Sequence, residues 1–145
     1  MKRRILLVDD DQAVLLTLKA VLELHGFEVE TAATTAQAFS MMEAAAYHMV
    51  ISDLRMETEN AGLEVIRAAR RHAYKPATAL LTACPPSDEP WNEEAKGCLL
   101  IKPLGTEKLV RQVEALLSRR RLRAQGPTRE DPSPPGGKPG GRRLL

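Results

Sequence analysis

Four consecutive apolar residues, Ile5-Leu6-Leu7-Val8, run directly into three carboxylates, Asp9-Asp10-Asp11. An unbroken aliphatic run of this length reads as a strand buried on both faces, which is how central strands of parallel α/β sheets are built. Three acids in a row at its C-terminal end crowd like charges unless a cation or a positive group sits among them. Ligands of open α/β sheets bind outside the carboxyl ends of the strands. The stretch therefore starts a core and marks a candidate site. Two readings stay open at this point: a cation-binding edge, or a helix cap at Asp11 with two loop acids beside it.

The rest of the chain alternates strand and helix patterns. Val14, Leu15, Leu18, Val21 and Leu22 recur at helical spacing behind Asp11 and stop at Gly26. Phe27 to Ala32 alternates apolar and polar, as a half-exposed edge strand does. A helix is expected from about Thr35 to Ala45, with Ala38, Phe39 and Met42 on one side, then a strand from His48 to Ser52 that ends at Asp53. A polar loop, Arg55 to Asn60, leads through Gly62 into a helix to His72. Ala77 to Thr82 forms a fourth strand. Pro85, Pro86 and Pro90 exclude regular helix nearby, leaving at most a short one from Trp91 to Lys96. Cys98 to Ile101 forms a fifth strand ending at Lys102-Pro103, and Leu109, Val113, Leu116 and Leu117 mark a last helix from about Thr106 to Arg121. Ten alternating elements predict a five-stranded parallel sheet with helices on both faces.

Charge divides the chain at the end of that helix. Residues 1–118 carry 13 basic and 17 acidic side chains, whereas residues 119–145 carry 8 and 2. The last stretch holds Pro127, Pro132, Pro134, Pro135 and Pro139 with five glycines, too little apolar surface to offset the entropy of ordering it. The expected organisation is one domain over residues 1–122 and a disordered basic tail over 123–145. The arginines at 119–121 and 123 suit a helix C-terminus, so the tail is read as solvated rather than as a nucleic-acid contact. No apolar run approaches the roughly 20 residues of a membrane span, and no export signal is read at the start. Cys84 and Cys98 lack metal-ligand spacing and are read as small packing residues in a reducing, cytoplasmic setting.

Four strand ends carry chemistry: Asp9 and Asp10 after the first, Asp53 after the third, Thr82 after the fourth and Lys102 after the fifth. A parallel sheet brings all of them to one edge. A carboxylate attacking phosphorus meets an anion, and acidic side chains can hold Mg²⁺ to neutralise the phosphoryl oxygens. A lysine adds a second positive charge and a hydroxyl a hydrogen bond. Phosphoryl transfer relies on this kind of positioning and charge stabilisation.

With Leu6-Leu7-Val8-Asp9-Asp10-Asp11, Val50-Ile51-Ser52-Asp53-Leu54-Arg55-Met56, Leu80-Leu81-Thr82-Ala83 and Ile101-Lys102-Pro103-Leu104 in this order, the chain resembles the receiver domain of two-component response regulators over about residues 3–120. The resemblance implies a flavodoxin-like sheet in the order 2-1-3-4-5. It implies that Asp53 accepts a phosphoryl group from a histidine kinase or phosphotransfer protein, that Asp9, Asp10, Asp53 and the Arg55 carbonyl hold Mg²⁺, that Thr82 is a switch hydroxyl and that Lys102 pairs with the phosphoryl group. Self-phosphorylation and slow hydrolysis would be its only chemistry, with Arg55 and Cys84 lining the approach of water. A cytoplasmic regulator that signals by contact with a downstream protein, able to form a homodimer, follows from the same likeness. After residue 121 no helix-turn-helix domain is expected, so no direct DNA contact.

The chain departs from the family pattern at specific places. Glu57 stands where a Pro is usual, the loop before Gly62 is one residue longer, and the link from Gly97 to Lys102 is about two shorter. Leu99 replaces the usual Tyr or Phe, and the prolines erode the fourth helix of the usual output face. These departures motivate a second reading, a receiver-fold interaction module that works without phosphorylation. A third is a phosphohydrolase of the haloacid dehalogenase type with Asp9 as nucleophile in Asp9-Asp10-Asp11. That type needs a further acidic pair after the lysine, and downstream of Lys102 stand only Glu107, Glu114, Glu130 and Asp131.

Overall fold

The structure, a computed structural model, describes residues 2–82, 99–101 and 105–125. Five parallel strands form one sheet in the order β2-β1-β3-β4-β5: β1 (Arg4–Val8), β2 (Glu28–Ala32), β3 (Met49–Asp53), β4 (Ala77–Thr82) and β5 (Leu99–Ile101). The first strand pairs with β2 on one side and β3 on the other, Leu6 lying beside Glu30 and Val50. Its interior position is why its residues can be apolar without alternation. The edge strand β2 is less enclosed: Val29 and Ala32 are buried on opposite faces, Glu28 is exposed, and Glu30 and Thr31 are half-buried.

Period-2 geometry divides the apolar side chains between two faces. Ile5, Leu7, Met49 and Ile51 point into a core closed by Leu15 and Leu22 of α1 (Gln12–Leu24) and by Leu109, Val113, Leu116 and Leu117 of α4 (Thr106–Gln125). Leu6, Val8 and Val50 face the other way, onto Ala38 and Met42 of α2 (Thr35–Ala44) and Val65 and Ala69 of α3 (Ala61–Arg71). The sheet is thus covered on both sides, as the alternating order requires.

Helix ends follow the local sequence closely. The Asp11 carboxylate caps α1 by accepting from the backbone N–H of Ala13 at 3.0 Å and of Val14 at 3.4 Å. At the far end Gly26 takes a left-handed φ of +91°. Its N–H bonds the Glu23 carbonyl while Phe27 N–H reaches back to Leu22, a paired arrangement that satisfies the last free carbonyls. Thr34 caps α2 through Gln37 N–H.

One expected boundary changes. The last helix runs to Gln125 rather than about Arg121. Arg, Leu, Ala and Gln all sustain helix, and the first residues unable to do so are Gly126-Pro127. The remaining tail, the expected helix at 91–96, Cys84 and Cys98 lie outside the described residues. No helix of the described residues is long and apolar enough to cross a membrane.

Candidate functional site at the carboxyl edge of the sheet

Strand register levels the chemistry-bearing ends. Val8 lies beside Ser52, and Asp53 beside Leu81, so Asp9, Asp53 and Thr82 follow one another across β1, β3 and β4. Thr82 in turn lies beside Ile101, the last described residue of β5. Lys102, expected to complete the site from that strand, falls outside the described residues.

Asp9 is 3% exposed and Thr82 4%; Asp53 is half-buried and Asp10 exposed. Each position has a local cause. Asp9 continues the β1 ladder by donating its N–H to the Ala32 carbonyl at 3.1 Å. Its Oδ1 accepts from Asp11 N–H at 3.0 Å, so the entry of α1 orients this buried carboxylate. The positive end of that helix favours negative charge here. The chain after Asp53 is held by Leu54 N–H on the Leu81 carbonyl at 2.9 Å, and buried Ser52 donates its hydroxyl to the Asp53 carbonyl at 2.9 Å.

Carboxylate oxygens from Asp9, Asp10 and Asp53 all lie within 4.8 Å of one another. An octahedral Mg²⁺ at about 2.1 Å from each ligand spaces neighbouring oxygens roughly 3.0 Å apart and opposite ones roughly 4.2 Å. The spread of the three carboxylates is close to that span, and an all-oxygen donor set is the type this cation prefers. The residues fit the metal. Asp11 does not join the cluster: its carboxylate serves the N-terminus of α1.

Gly62 has a sharper role than its place in a loop suggested. A Cβ built there would stand 1.9 Å from the Asp53 carbonyl oxygen and 2.7 Å from Leu54 Cα. The start of α3 therefore presses directly on the main chain that carries Asp53, and Gly62 N–H bonds the Leu54 carbonyl at 2.8 Å. The loop from 55 to 60 also contains an anchor that sequence patterning did not show. Glu57 reaches the N-terminus of α2, accepting from Thr35 N–H at 2.9 Å, and this bond holds its carboxyl below the usual carboxylate range. No periodicity signals it, because the partners are 22 residues apart on different elements.

The opposite end of the sheet is fastened by a separate polar group. Buried Tyr47 donates to Glu30, which also pairs with Arg4 at 2.8 Å. Burial first, then that bond, pushes the Tyr47 phenol up, and the Tyr47 bond is the main cause of a lowered Glu30.

The family model for the response regulator receiver domain matches residues 5–114. Among curated proteins, the chain is 32% identical over 130 residues to the alginate biosynthesis transcriptional regulatory protein AlgB of Pseudomonas aeruginosa, covering 88% of this chain and 29% of that one. It is 34% identical over 119 residues to the transcriptional regulatory protein PrrA of Mycobacterium tuberculosis, covering 81% of this chain and 51% of the relative. The chain thus spans less than a third of the first and about half of the second. Among solved structures, a response regulator receiver protein from Sinorhizobium medicae aligns with a TM-score of 0.71 at 27% identity, covering 82% of this chain and 97% of that one. A CheY-like receiver domain from Methanospirillum hungatei, at 24% identity, aligns with a TM-score of 0.72 over 83% and 98%. A doubly wound sheet in the order β2-β1-β3-β4-β5, an acidic cluster at its carboxyl edge and a family match over most of the described residues agree: the chain belongs to the response regulator receiver domain family.

Proposed function

We propose that the domain is a cytoplasmic phosphoacceptor of a two-component relay, taking a phosphoryl group on Asp53 from a histidine kinase or phosphotransfer protein. The observation that carries this reading is the convergence of the Asp9, Asp10 and Asp53 carboxylates beside buried Thr82. Asp53 as the attacking acid is supported by exposure: it is half-buried, whereas Asp9 is enclosed. Mg²⁺ held by Asp9, Asp10, Asp53 and the Arg55 carbonyl would supply the positive charge that lets an anionic carboxylate approach an anionic phosphoryl group.

An Asp53 carboxylate oxygen forms a bond to phosphorus as the donor's P–N bond breaks, and the imidazole departs with the electron pair. With a small donor such as acetyl phosphate the breaking bond is P–O and acetate departs. Asp9, ordered by the entry of α1, and Asp10 would hold the cation. The Thr82 hydroxyl, on the residue after Asp53's β4 neighbour Leu81, hydrogen-bonds a phosphoryl oxygen, and Lys102 supplies the second positive charge. Water later attacks phosphorus and returns the Asp53 carboxylate and inorganic phosphate. Signalling then follows from contact with a downstream protein rather than from catalysis on an external substrate.

Incubation with acetyl phosphate and Mg²⁺ tests the reading. Wild type takes up one acid-stable, base-labile phosphoryl group and Asp53→Ala takes up none. Label retained by Asp53→Ala but lost from Asp9→Ala would support the dehalogenase-type alternative. Partner binding or dimerisation unchanged by beryllofluoride would support the phosphorylation-independent module, the reading that Leu99 and the prolines favour.

A further inference from the structure

Main chain between Leu54 and Gly62 is fixed at both ends, by Leu54 N–H on the Leu81 carbonyl and by Gly62 N–H on the Leu54 carbonyl. The intervening loop carries Arg55, whose carbonyl the proposed function assigns to the cation. Octahedral Mg²⁺ tolerates little error in ligand position, so a carbonyl on an exposed loop must be held still. Glu57, two residues further on, is exposed, yet its Oε2 lies 2.9 Å from the backbone nitrogen and 3.3 Å from the hydroxyl of Thr35, at the start of α2. The first N–H groups of a helix have no partner within it. Thr34 serves one donor of α2, at Gln37; Glu57 serves another from a different element. Its negative charge also meets the positive end of the helix.

We propose that Glu57 is a positioning residue: by tying the loop after Asp53 to the N-terminus of α2, it holds the main chain at Arg55 and so sets Mg²⁺ affinity. This rests on the reading of the acidic cluster as a Mg²⁺ site. A rigid loop means that α2 and the cation site move together, which a proline at position 57 could not achieve through a side-chain bond.

Titration calorimetry of the whole chain with Mg²⁺ is the test, because it needs no phosphoryl transfer. Glu57→Ala weakens Mg²⁺ roughly three- to tenfold, the size expected for losing one ordinary, solvent-exposed hydrogen bond. Glu57→Gln keeps the acceptor oxygen and recovers most of that loss. Thr35→Pro removes the donor from the other side. It is compatible with the fold, since Pro is favoured at the first helical position and Thr34 already has the extended φ of −139° and ψ of 162° that a following proline requires. This variant weakens Mg²⁺ as much as Glu57→Ala does, and the double variant is no weaker than either. With acetyl phosphate, the loss appears in the Mg²⁺ concentration needed for half-maximal rate, and the rate at saturating Mg²⁺ stays near wild type.

A purely through-space effect of the charge would make Gln as weak as Ala and leave Thr35→Pro silent; that pattern, additive singles or unchanged affinity in Glu57→Ala overturns the proposal. Failure of the phosphoacceptor reading is a separate result, an absence of acyl phosphate in wild type. Absence of Mg²⁺ binding in wild type overturns both.

Discussion

Gly62→Ala is the substitution for which helix propensity and this structure give opposite signs. In an exposed helix, Gly to Ala stabilises by about 1 kcal/mol. Here the new Cβ would stand 1.9 Å from the Asp53 carbonyl oxygen and 2.7 Å from both Asp53 C and Leu54 Cα. All three obstacles are backbone, so no rotamer change relieves them. Ordinary carbon–oxygen contact requires α3 or the chain after Asp53 to move by roughly 1.3 Å, from the usual separation of 3.2 Å or more. Overpacking costs about 1–3 kcal/mol or more, and the Gly62 to Leu54 hydrogen bond weakens as the elements part, adding about 1 kcal/mol. After the propensity gain, a net loss of about 1–3 kcal/mol remains, a drop in Tm on the order of 10 °C for a domain of this size. Chemical denaturation with Mg²⁺ removed measures it. Because the displaced chain carries Asp53, phosphorylation from acetyl phosphate slows as well. Gly26→Ala is the comparison: that residue has φ +91° but open space around it, so it loses about 1 kcal/mol by backbone strain alone and is phosphorylated normally. A Gly62→Ala protein as stable as wild type would refute the packing argument.

Three further outcomes follow from single contacts. Asp11→Ala loses the α1 cap and about 1 kcal/mol, measured by urea denaturation, yet binds Mg²⁺ as wild type does in calorimetry, because the bond orienting Asp9 comes from the residue-11 backbone. Tyr47→Phe removes a buried donor to Glu30 and costs about 1–2 kcal/mol in the same assay, with no change in phosphorylation at the opposite sheet edge. His48 Nδ1 accepts from Arg4 N–H at 2.9 Å, and burial first, then the charges of Arg120, Arg3 and Arg4, lowers its pKa. The unfolded chain therefore binds a proton that the folded one resists. Stability falls as pH drops through about 6.5, the unfolded value, and levels off once the folded His48 titrates. In His48→Asn, which keeps an acceptor at the same place, that part of the pH dependence disappears from a series of melts.

The residues that proved legible in the sequence are those whose signal is local or periodic. Ile5 to Val8 announces a central strand because burial on both faces leaves no polar position, and Asp11 and Gly26 mark the ends of α1 because cap chemistry depends on neighbouring backbone. The convergence of Asp9, Asp53 and Thr82 followed from topology: once every strand is parallel, their ends share an edge. What sequence could not show depends on distance between elements. Glu57 meets Thr35 only after β3 and α2 have packed, and the need for Gly at 62 is a clash with backbone eight and nine residues away. Tyr47 and Glu30 likewise meet across β2 and the end of α2, with no pattern to join them. The last helix continues to Gln125 although its charged, arginine-rich end resembles a tail by composition, because each residue there sustains helix.

The central claim is that Asp53, not Asp9 or Asp10, receives the phosphoryl group. Borohydride reduction of the protein treated with acetyl phosphate and Mg²⁺ converts an acyl-phosphorylated aspartate to homoserine, and peptide mass spectrometry locates it. The account predicts homoserine at position 53 alone; homoserine at position 9 or 10, or at no aspartate while phosphate is retained, would contradict it.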